Sequence, residues 1–391
     1  MAAALRFHGG PRVEVLDPAG EWLRTWDRQL AAQDVPHLRS PATHHPHPYP
    51  YALLADVAEE ELVRREETLL PTAAGFRRFT TAMIEEFELG DLVTAAQVTA
   101  VQARADGRLQ LMTTDGPRCP QRVVLATNVR VPQIPPGLLE VAGHADVHLG
   151  SAIDLESTPP GGEVMVIGAG LSAAHLAAGA VARGAHVTLV TRREPRVRPY
   201  DTDIVWMGQW KLREFEDEPD PAVRRETIDT ARDGGSMPRW FHEQLLDHQR
   251  RGDLELLTNR TVTGVTTAGH RLCVTLSDGS VVESDTIWSA TGARADIGSD
   301  PLVRELIDQY PTPIIGGLPV LDAALRWPGT AVHLVGPAAG LVLGPGAGNL
   351  IGHRRAAQRI ATFLNAGEPT RAERDPAWTD VVRPAEAASH V

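Results

Sequence analysis

The chain has almost no cysteine. Cys119 and Cys273 are the only two among 391 residues, they stand far apart, and no Cys-x-x-Cys occurs. That excludes a dithiol relay of the disulfide-exchange kind and leaves no cysteine-based metal site. Long apolar runs are also missing, so no segment reads as a bilayer span. The first ten residues, MAAALRFHGG, have neither the charged start nor the apolar core of a secretion signal. Basic tails are absent too, and the formal net charge is -12 at pH 7. This balance argues against nucleic acid or an anionic membrane as partner. The expectation is a soluble, cytoplasmic protein, long enough to bury a large core in two domains.

What is present is concentrated between Val164 and Arg193. The apolar run Val164-Met165-Val166-Ile167 predicts a buried parallel strand. Gly168, Gly170 and Ala173 follow as G-x-G-x-x-A, then a small-residue helix, then a second strand over Val187–Val190. This is a dinucleotide fingerprint in its required context of strand, tight turn and helix. Gly168 permits the turn, Gly170 keeps side-chain bulk away from a pyrophosphate, and Ala173 lets the helix pack closely on the strand. The helix N-terminus turns free N–H groups and a positive dipole toward the phosphates, with the Ser172 hydroxyl beside them. An NAD site carries an acid about twenty residues beyond the glycines. Here Thr191-Arg192-Arg193 stands at that place. A guanidinium fork suits a 2′-phosphate and no carboxylate opposes it, so the residues favour NADPH over NADH. The plain alternative is that Arg192 and Arg193 are solvated loop charges.

The chain also repeats itself. Residues 1–17 and 176–190 are each an alanine-rich helix end, a glycine turn and an alternating strand. Residues 106–128 and 269–292 each read as a hairpin with an Asp-Gly turn, followed by a strand ending in Ala-Thr. Two copies of one nucleotide-binding unit account for this most simply. In the first copy the strand and glycine loop would lie before Met1, whereas the acid, Asp17, is in place to hold a ribose. Two explanations stay open: a start upstream of Met1, or a loop truly lost together with flavin affinity. A third holds that residues 1–17 have no nucleotide role.

The organisation expected is α/β, with two Rossmann-like, three-layer ββα dinucleotide-binding domains, one inserted in the other. Residues 1–132 and 290–365 form an FAD-type domain lacking its first strand and glycine loop. Residues 151–289 form the NADPH domain, interrupted by a helical segment, 201–246, carrying Trp206, Trp210 and Trp240. Residues 131–137 (VPQIPPG) and 290–296 look like the two crossings. The segment after 366 reads as a mobile tail. Near the C-terminus, the strand 331–335 runs into Gly336-Pro-Ala-Ala-Gly340, Gly344-Pro-Gly-Ala-Gly348-Asn349 and a helix over 350–363. A glycine-lined helix start beside a strand end can seat the polar edge of a flavin. Otherwise it is only a flexible loop.

With these motifs the chain resembles two-dinucleotide flavoproteins, and more narrowly flavin-dependent monooxygenases of the lysine and ornithine N-hydroxylase type. The resemblance runs from Val13 to about Ile360. It rests on VEVLD (13–17) with Trp22 and Trp26, HLRSP (37–41), LATN (125–128), GAGLSA (168–173), ATG (290–292) and LGPGAGN (343–349). It implies FAD, with NADPH as reductant and O2 as co-substrate. Asp17, Trp22, Thr127, Gly336, Gly346 and Asn349 would hold FAD, and Gly168, Gly170, Ser172, Ala173, Arg192 and Arg193 would hold NADPH. It implies oxygenation of a small nucleophilic substrate through a flavin hydroperoxide, with no side-chain nucleophile. The rivals are a flavin reductase or dehydrogenase on the same scaffold, and a non-catalytic NADPH-binding relative without FAD.

The chain departs from that pattern in places. Asn128 stands where such proteins have glycine, and F-x-G-x-x-x-H is only approximated around Gly143 and His148. His44, His45 and His47 lie among prolines without carboxylate or cysteine at ligand spacing. They read as a polar loop bordering the flavin pocket, where His47 or Tyr49 could reach substrate. The three tryptophans read as core or as a substrate wall.

Overall fold

The computed structural model describes residues 1–104, 108–127 and 129–366. Asn128, the Asp106-Gly107 pair and the tail expected to be mobile lie outside the described residues. The centre of the chain is a five-stranded, all-parallel sheet in the order Leu254–Leu257, His186–Val190, Glu163–Ile167, Thr286–Ser289, Val147–Leu149. The apolar run that opens the fingerprint is therefore the middle strand. Being covered on both faces, it needs no polar positions, and its alternation separates two cores. Val164 and Val166 point to the helices, packing with Ala173, Leu176, Phe241 and Leu245. Met165 and Ile167 point to the other side, against Leu272, Val274 and Leu276.

Those last three come from a three-stranded antiparallel sheet, Val262–Ala268, Arg271–Leu276 and Val281–Ser284. Its second turn carries the expected Asp278-Gly279, with Gly279 at φ 84°. The order is thus antiparallel sheet, parallel sheet, helices. Each apolar side chain so buried contributes roughly 1.5–3 kcal/mol. The helix Leu171–Ala182 owes its close approach to small residues. A Cβ on Gly179 would lie 2.7 Å from Leu155 Cδ1.

A second α/β region contains two parallel ribbons. Val15–Asp17 pairs with Val93–Ala95, and Val123–Leu125 pairs with Val332–Leu334. The short helix Ala2–Phe7 packs through Ala4 and Leu5 on Ala357 and Ala361 of the long helix Leu350–Ala366. Between the two regions the expected crossings form one ribbon. Arg130–Pro132 pairs antiparallel with Ala293–Ala295. The Gln133 N–H donates to Gly292 O at 3.0 Å, and the Asp296 N–H to Val129 O at 2.8 Å.

The helical segment expected over 201–246 has shorter limits as an interruption. Gln209–Asp217 and Pro221–Arg232 do leave the sheet. They join Trp206, Leu318 and Leu341 in a separate cluster through Leu212, Phe215 and Ile228. The third helix, Arg239–Arg251, returns to the sheet layer, where Phe241 and Leu245 are core residues. It is the crossover between the strands His186–Val190 and Leu254–Leu257, and sequence periodicity alone could not separate it from its two neighbours.

Candidate functional site: a glycine turn, an arginine rim and a second glycine cradle

The first seat is the bend after the middle strand. Gly168 has φ 148°, and a Cβ there would collide with the Ala290 carbonyl. Only glycine allows that bend so close to the return crossing. Gly170 is the N-cap of the helix Leu171–Ala182, Ala173 is fully buried beneath it, and Ser172 is exposed in its first turn. Thr191, at the end of the next strand, donates its Oγ1–H to Arg193 O at 2.8 Å and so shapes the bend that carries the arginines. Arg192 is exposed and Arg193 half-buried.

Facing these residues is the loop 233–237. Arg193 donates to Asp233 O at 2.6 Å and pairs with its carboxylate at 3.5 Å. Arg196 donates to the same carbonyl at 2.9 Å and pairs with the same carboxylate. Hydrogen bonding from Arg196, then the nearby charges of Arg196 and Arg193, hold the Asp233 carboxyl below the usual range. Gly234, at φ 76°, leaves room for both guanidinium groups, since a Cβ would lie 2.7 Å from Arg193 Nη2 and 3.6 Å from Arg192 Nη2. The Ser236 carbonyl accepts the Leu171 N–H at 3.0 Å. Arg39 fixes the far side of the loop, donating to Ser236 O, Ser236 Oγ, Pro199 O and Arg198 O at 2.8–3.2 Å. Burial pushes the Arg39 guanidinium down to about 10.

The residues fit a phosphate-bearing dinucleotide. Glycine replaces side-chain bulk at the turn, a hydroxyl stands at the helix start, and three arginines, 192, 193 and 196, lie at the strand end. Sequence spacing singles out Arg192 and Arg193 for this seat, and the structure places both beside the loop 233–237. Spacing missed Arg196 and Asp233, because nothing in the sequence tells which distant acid folds back onto a basic bend.

The second seat lies at the residues expected for flavin. Asp17 ends its strand, and its Oδ1 accepts the Ala19 N–H at 2.8 Å. Trp22 points inward: its Nε1–H donates to Leu89 O at 3.0 Å, and its ring packs with Ala2, Ala3 and Met83. Thr127 donates its Oγ1–H to Asp300 Oδ2 at 2.5 Å. Gly336 has φ 71°, and a Cβ on it would meet His353 Cε1 at 3.1 Å. Gly346 is buried, yet nothing lies within 4 Å of where its Cβ would be. A Cβ on neighbouring Gly348 would lie 2.8 Å from Arg130 Nη2. A sheltered glycine surface flanked by a guanidinium and an imidazole fits the polar part of a flavin nucleotide.

The two seats are tied together. Arg232 donates to Pro345 O at 2.8 Å and to Asp201 Oδ2 at 2.9 Å, while Asn349 Nδ2 donates to Asp201 Oδ1 at 3.3 Å. The buried Arg355 of the long C-terminal helix donates to Trp206 O and Met207 O at 3.4 and 2.7 Å.

The histidine loop is mostly internal. His45 is fully buried and bonded to Pro50 O at 3.0 Å. Burial first, then Arg354, pushes it down to about 3, and burial with Arg354 and Arg355 pushes His44 down to about 4. His47 Nδ1 accepts the Tyr49 N–H at 2.9 Å, which leaves Nε2–H to donate to Glu86 at 3.0 Å. Among the described residues no group of three or more His, Cys, Asp or Glu could hold a metal ion. The tryptophans divide: Trp206 is core, Trp210 is 84% exposed, and Trp240 stacks at 3.9 Å on Phe241 and at 5.0 Å on His37. His148 lies in the edge strand Val147–Leu149, opposite Trp288.

The fold is similar to that of FAD/NAD(P)-binding flavoproteins. The profile described as pyridine nucleotide-disulphide oxidoreductase matches residues 34–214. Among solved structures the fold is similar to the reduced form of ornithine hydroxylase from Pseudomonas aeruginosa, with TM-score 0.73, 15% identity and 93% and 94% of the two chains covered. It is similar to the FAD-bound cadaverine monooxygenase of Erwinia amylovora, with TM-score 0.72, 14% identity and coverage of 94% and 92%. It is also similar to the ornithine N-hydroxylase of Kutzneria sp. 744, solved with reduced FAD, NADP+ and ornithine, with TM-score 0.70, 15% identity and coverage of 93% and 95%. No curated protein sequence matches the chain. Among the described residues no helix is long and apolar enough to cross a membrane.

Proposed function

We propose that the chain is an FAD- and NADPH-dependent oxidoreductase, and that it oxygenates a small nucleophilic substrate such as an amine, sulfide or carbonyl. In this reading residues 151–289 hold NADPH, and 1–132 with 290–365 hold FAD. The observation that carries it is the Arg232–Asp201–Asn349 link, which joins the arginine-rimmed half to the Gly344–Asn349 turn. Two nucleotide seats locked in register are what electron transfer between two bound cofactors requires. The similarity of fold to N-hydroxylating flavin monooxygenases supports the choice of reaction.

Bound flavin would supply hydride acceptance and reactivity toward O2. The chain supplies the rest. Gly168, Gly170, Ser172 and Ala173 shape the pyrophosphate seat, and Arg192 and Arg193 select the 2′-phosphate. Gly336, Gly346 and Asn349 line the flavin seat, with Asp17 at the ribose end and Thr127 near the crossing. No side chain is assigned as a nucleophile.

The test is direct. Purified protein should be yellow, and NADPH should be consumed with formation of an oxygenated product and little free peroxide. NADPH consumption that yields no oxygenated product with any nucleophile class would point to a reductase. A colourless protein that binds NADPH and takes up no FAD would point to a non-catalytic relative.

A further inference from the structure

The loop 233–237 rests on the same atoms that the reading above gives to NADPH. Four observations coincide there. The Ser236 carbonyl takes the first N–H of the glycine-turn helix, from Leu171, at 3.0 Å. The Gly235 backbone lies directly on Gly170, such that a Cβ on Gly235 would be 2.7 Å from Gly170 Cα. The Asp233 carboxylate pairs with both Arg193 and Arg196. And Asp233 and Gly234 follow each other at φ 31° and 76°, a left-handed pair that ends the helix Pro221–Arg232 and turns the chain back over the seat.

A carbonyl on a helix N–H and a carboxylate between two guanidinium groups imitate the two anions of the cofactor, its pyrophosphate and its 2′-phosphate. The imitation is held from the other side, because Arg39 bonds Ser236 twice, and Met237 N–H and O pair with Arg196 O and Arg198 N–H, each at 2.9 Å.

We propose that the loop 233–237 is a built-in competitor for NADPH, with Asp233 holding Arg193 and Arg196 in place of the 2′-phosphate until the cofactor displaces it. This rests on the NADPH reading of the seat and adds an affinity-setting residue, Asp233, and a third phosphate ligand, Arg196. Binding then exchanges one carboxylate for one phosphate on the same two arginines. The cofactor with the extra phosphate can make that exchange; NADH cannot, and must bind with the Asp233 pair intact. Asp233 therefore lowers the affinity for NADPH alone and blunts the choice between the two, while the Ser236 carbonyl on the Leu171 N–H opposes both at the pyrophosphate.

The experiment is a calorimetric titration of the full chain and of Asp233→Asn, Arg196→Ala and Arg193→Ala with NADPH and NADH, at low and high salt. Asparagine tolerates positive φ, so Asp233→Asn removes the charge and keeps the turn. Asp233→Asn should bind NADPH about threefold more tightly, the size an exposed ion pair allows, with NADH unchanged. The gain should fade at high salt as the charges are screened. Arg196→Ala should weaken NADPH and leave NADH alone. Amide hydrogen exchange should show residues 234–237 losing protection when NADPH is added, while the Leu171 N–H, passed from Ser236 O to the pyrophosphate, keeps its own. Equal NADPH affinity in wild type and Asp233→Asn, or equal shifts for NADPH and NADH, would overturn the competitor while leaving the seat in place. Failure of every variant to bind either cofactor would overturn the seat and the competitor together.

Discussion

In the proposed reading, charge on single side chains decides which nicotinamide cofactor the chain takes. Arg192 and Arg193 stand where an NAD site would carry an acid, and both were legible from spacing alone. Replacing both by alanine should raise KM for NADPH on the order of tenfold or more, the loss expected for charge-assisted hydrogen bonds. KM for NADH should change little, and equal effects on the two would refute the phosphate role. Trp22 shows the opposite case. Its place in the sequence suggested the flavin, and its indole N–H is spent on Leu89 O inside a small apolar cluster. A residue type carries no direction, and only packing tells which way the ring turns.

Histidine gives a prediction in pH. Folding holds His45 at about 3 and His44 at about 4, mainly by burial, against 6.5 in water. Both are neutral in either state above pH 6.5, so nothing is lost there. Below it the unfolded chain takes up protons that the folded chain refuses, and stability falls steadily toward pH 4. The double variant His44→Gln/His45→Gln should therefore lose less stability between pH 7 and pH 4.5 than wild type. Urea midpoints at the two pH values measure it, and parallel declines would contradict this account.

At the scale of elements, periodicity and punctuation served well where an element is covered by its neighbours in the ordinary way. The strands Glu163–Ile167 and His186–Val190 and the helix Leu171–Ala182 fall where the pattern puts them, within a residue or so. The sequence over 201–246 reads as one helical interruption, and the structure divides it into three amphipathic helices with different partners. Which of them faces the sheet depends on partners far away in sequence, Ala173 and Leu176 for one helix, Leu318 and Leu341 for the other two. Glycines inside elements mark the tightest contacts. A Cβ on Gly352 would strike the Gly346 carbonyl and lie 2.6 Å from the Ala347 carbonyl. Gly352→Ala should destabilise the fold by about 1–3 kcal/mol, as overpacking does, and should weaken flavin retention because the displaced turn is the cradle. Thermal melts with and without added FAD read both effects. A melt indistinguishable from wild type would show that the helix slides freely past the turn.

For the molecule as a whole, the decisive feature is the tie between halves. The crossings 130–132 and 293–295 form one antiparallel ribbon, and Arg232 bridges Asp201 and Pro345. Arg232→Met keeps most of the side-chain volume and removes the bridge. It should slow NADPH-driven flavin reduction several-fold with little change in NADPH affinity, since the flavin-side turn loses its tether while no residue assigned to NADPH is removed. Stopped-flow reduction against equilibrium binding separates the two. A change confined to affinity would place Arg232 in the cofactor seat instead.

The sequence by itself determined the strand, glycine turn and helix of the central unit, the paired arginines that follow it, the crossings and the glycine-rich turn near the C-terminus. All of these depend on local spacing, on which residues tolerate a bend, leave room for a ligand or carry a fixed charge. Tertiary structure alone decided that Asp233 folds back on Arg193 and Arg196, that Ser236 takes the helix's first N–H, and that Arg232 joins the two seats. These contacts link residues some 30 to 110 positions apart along the chain, and no local pattern records which distant partner will neutralise a given charge.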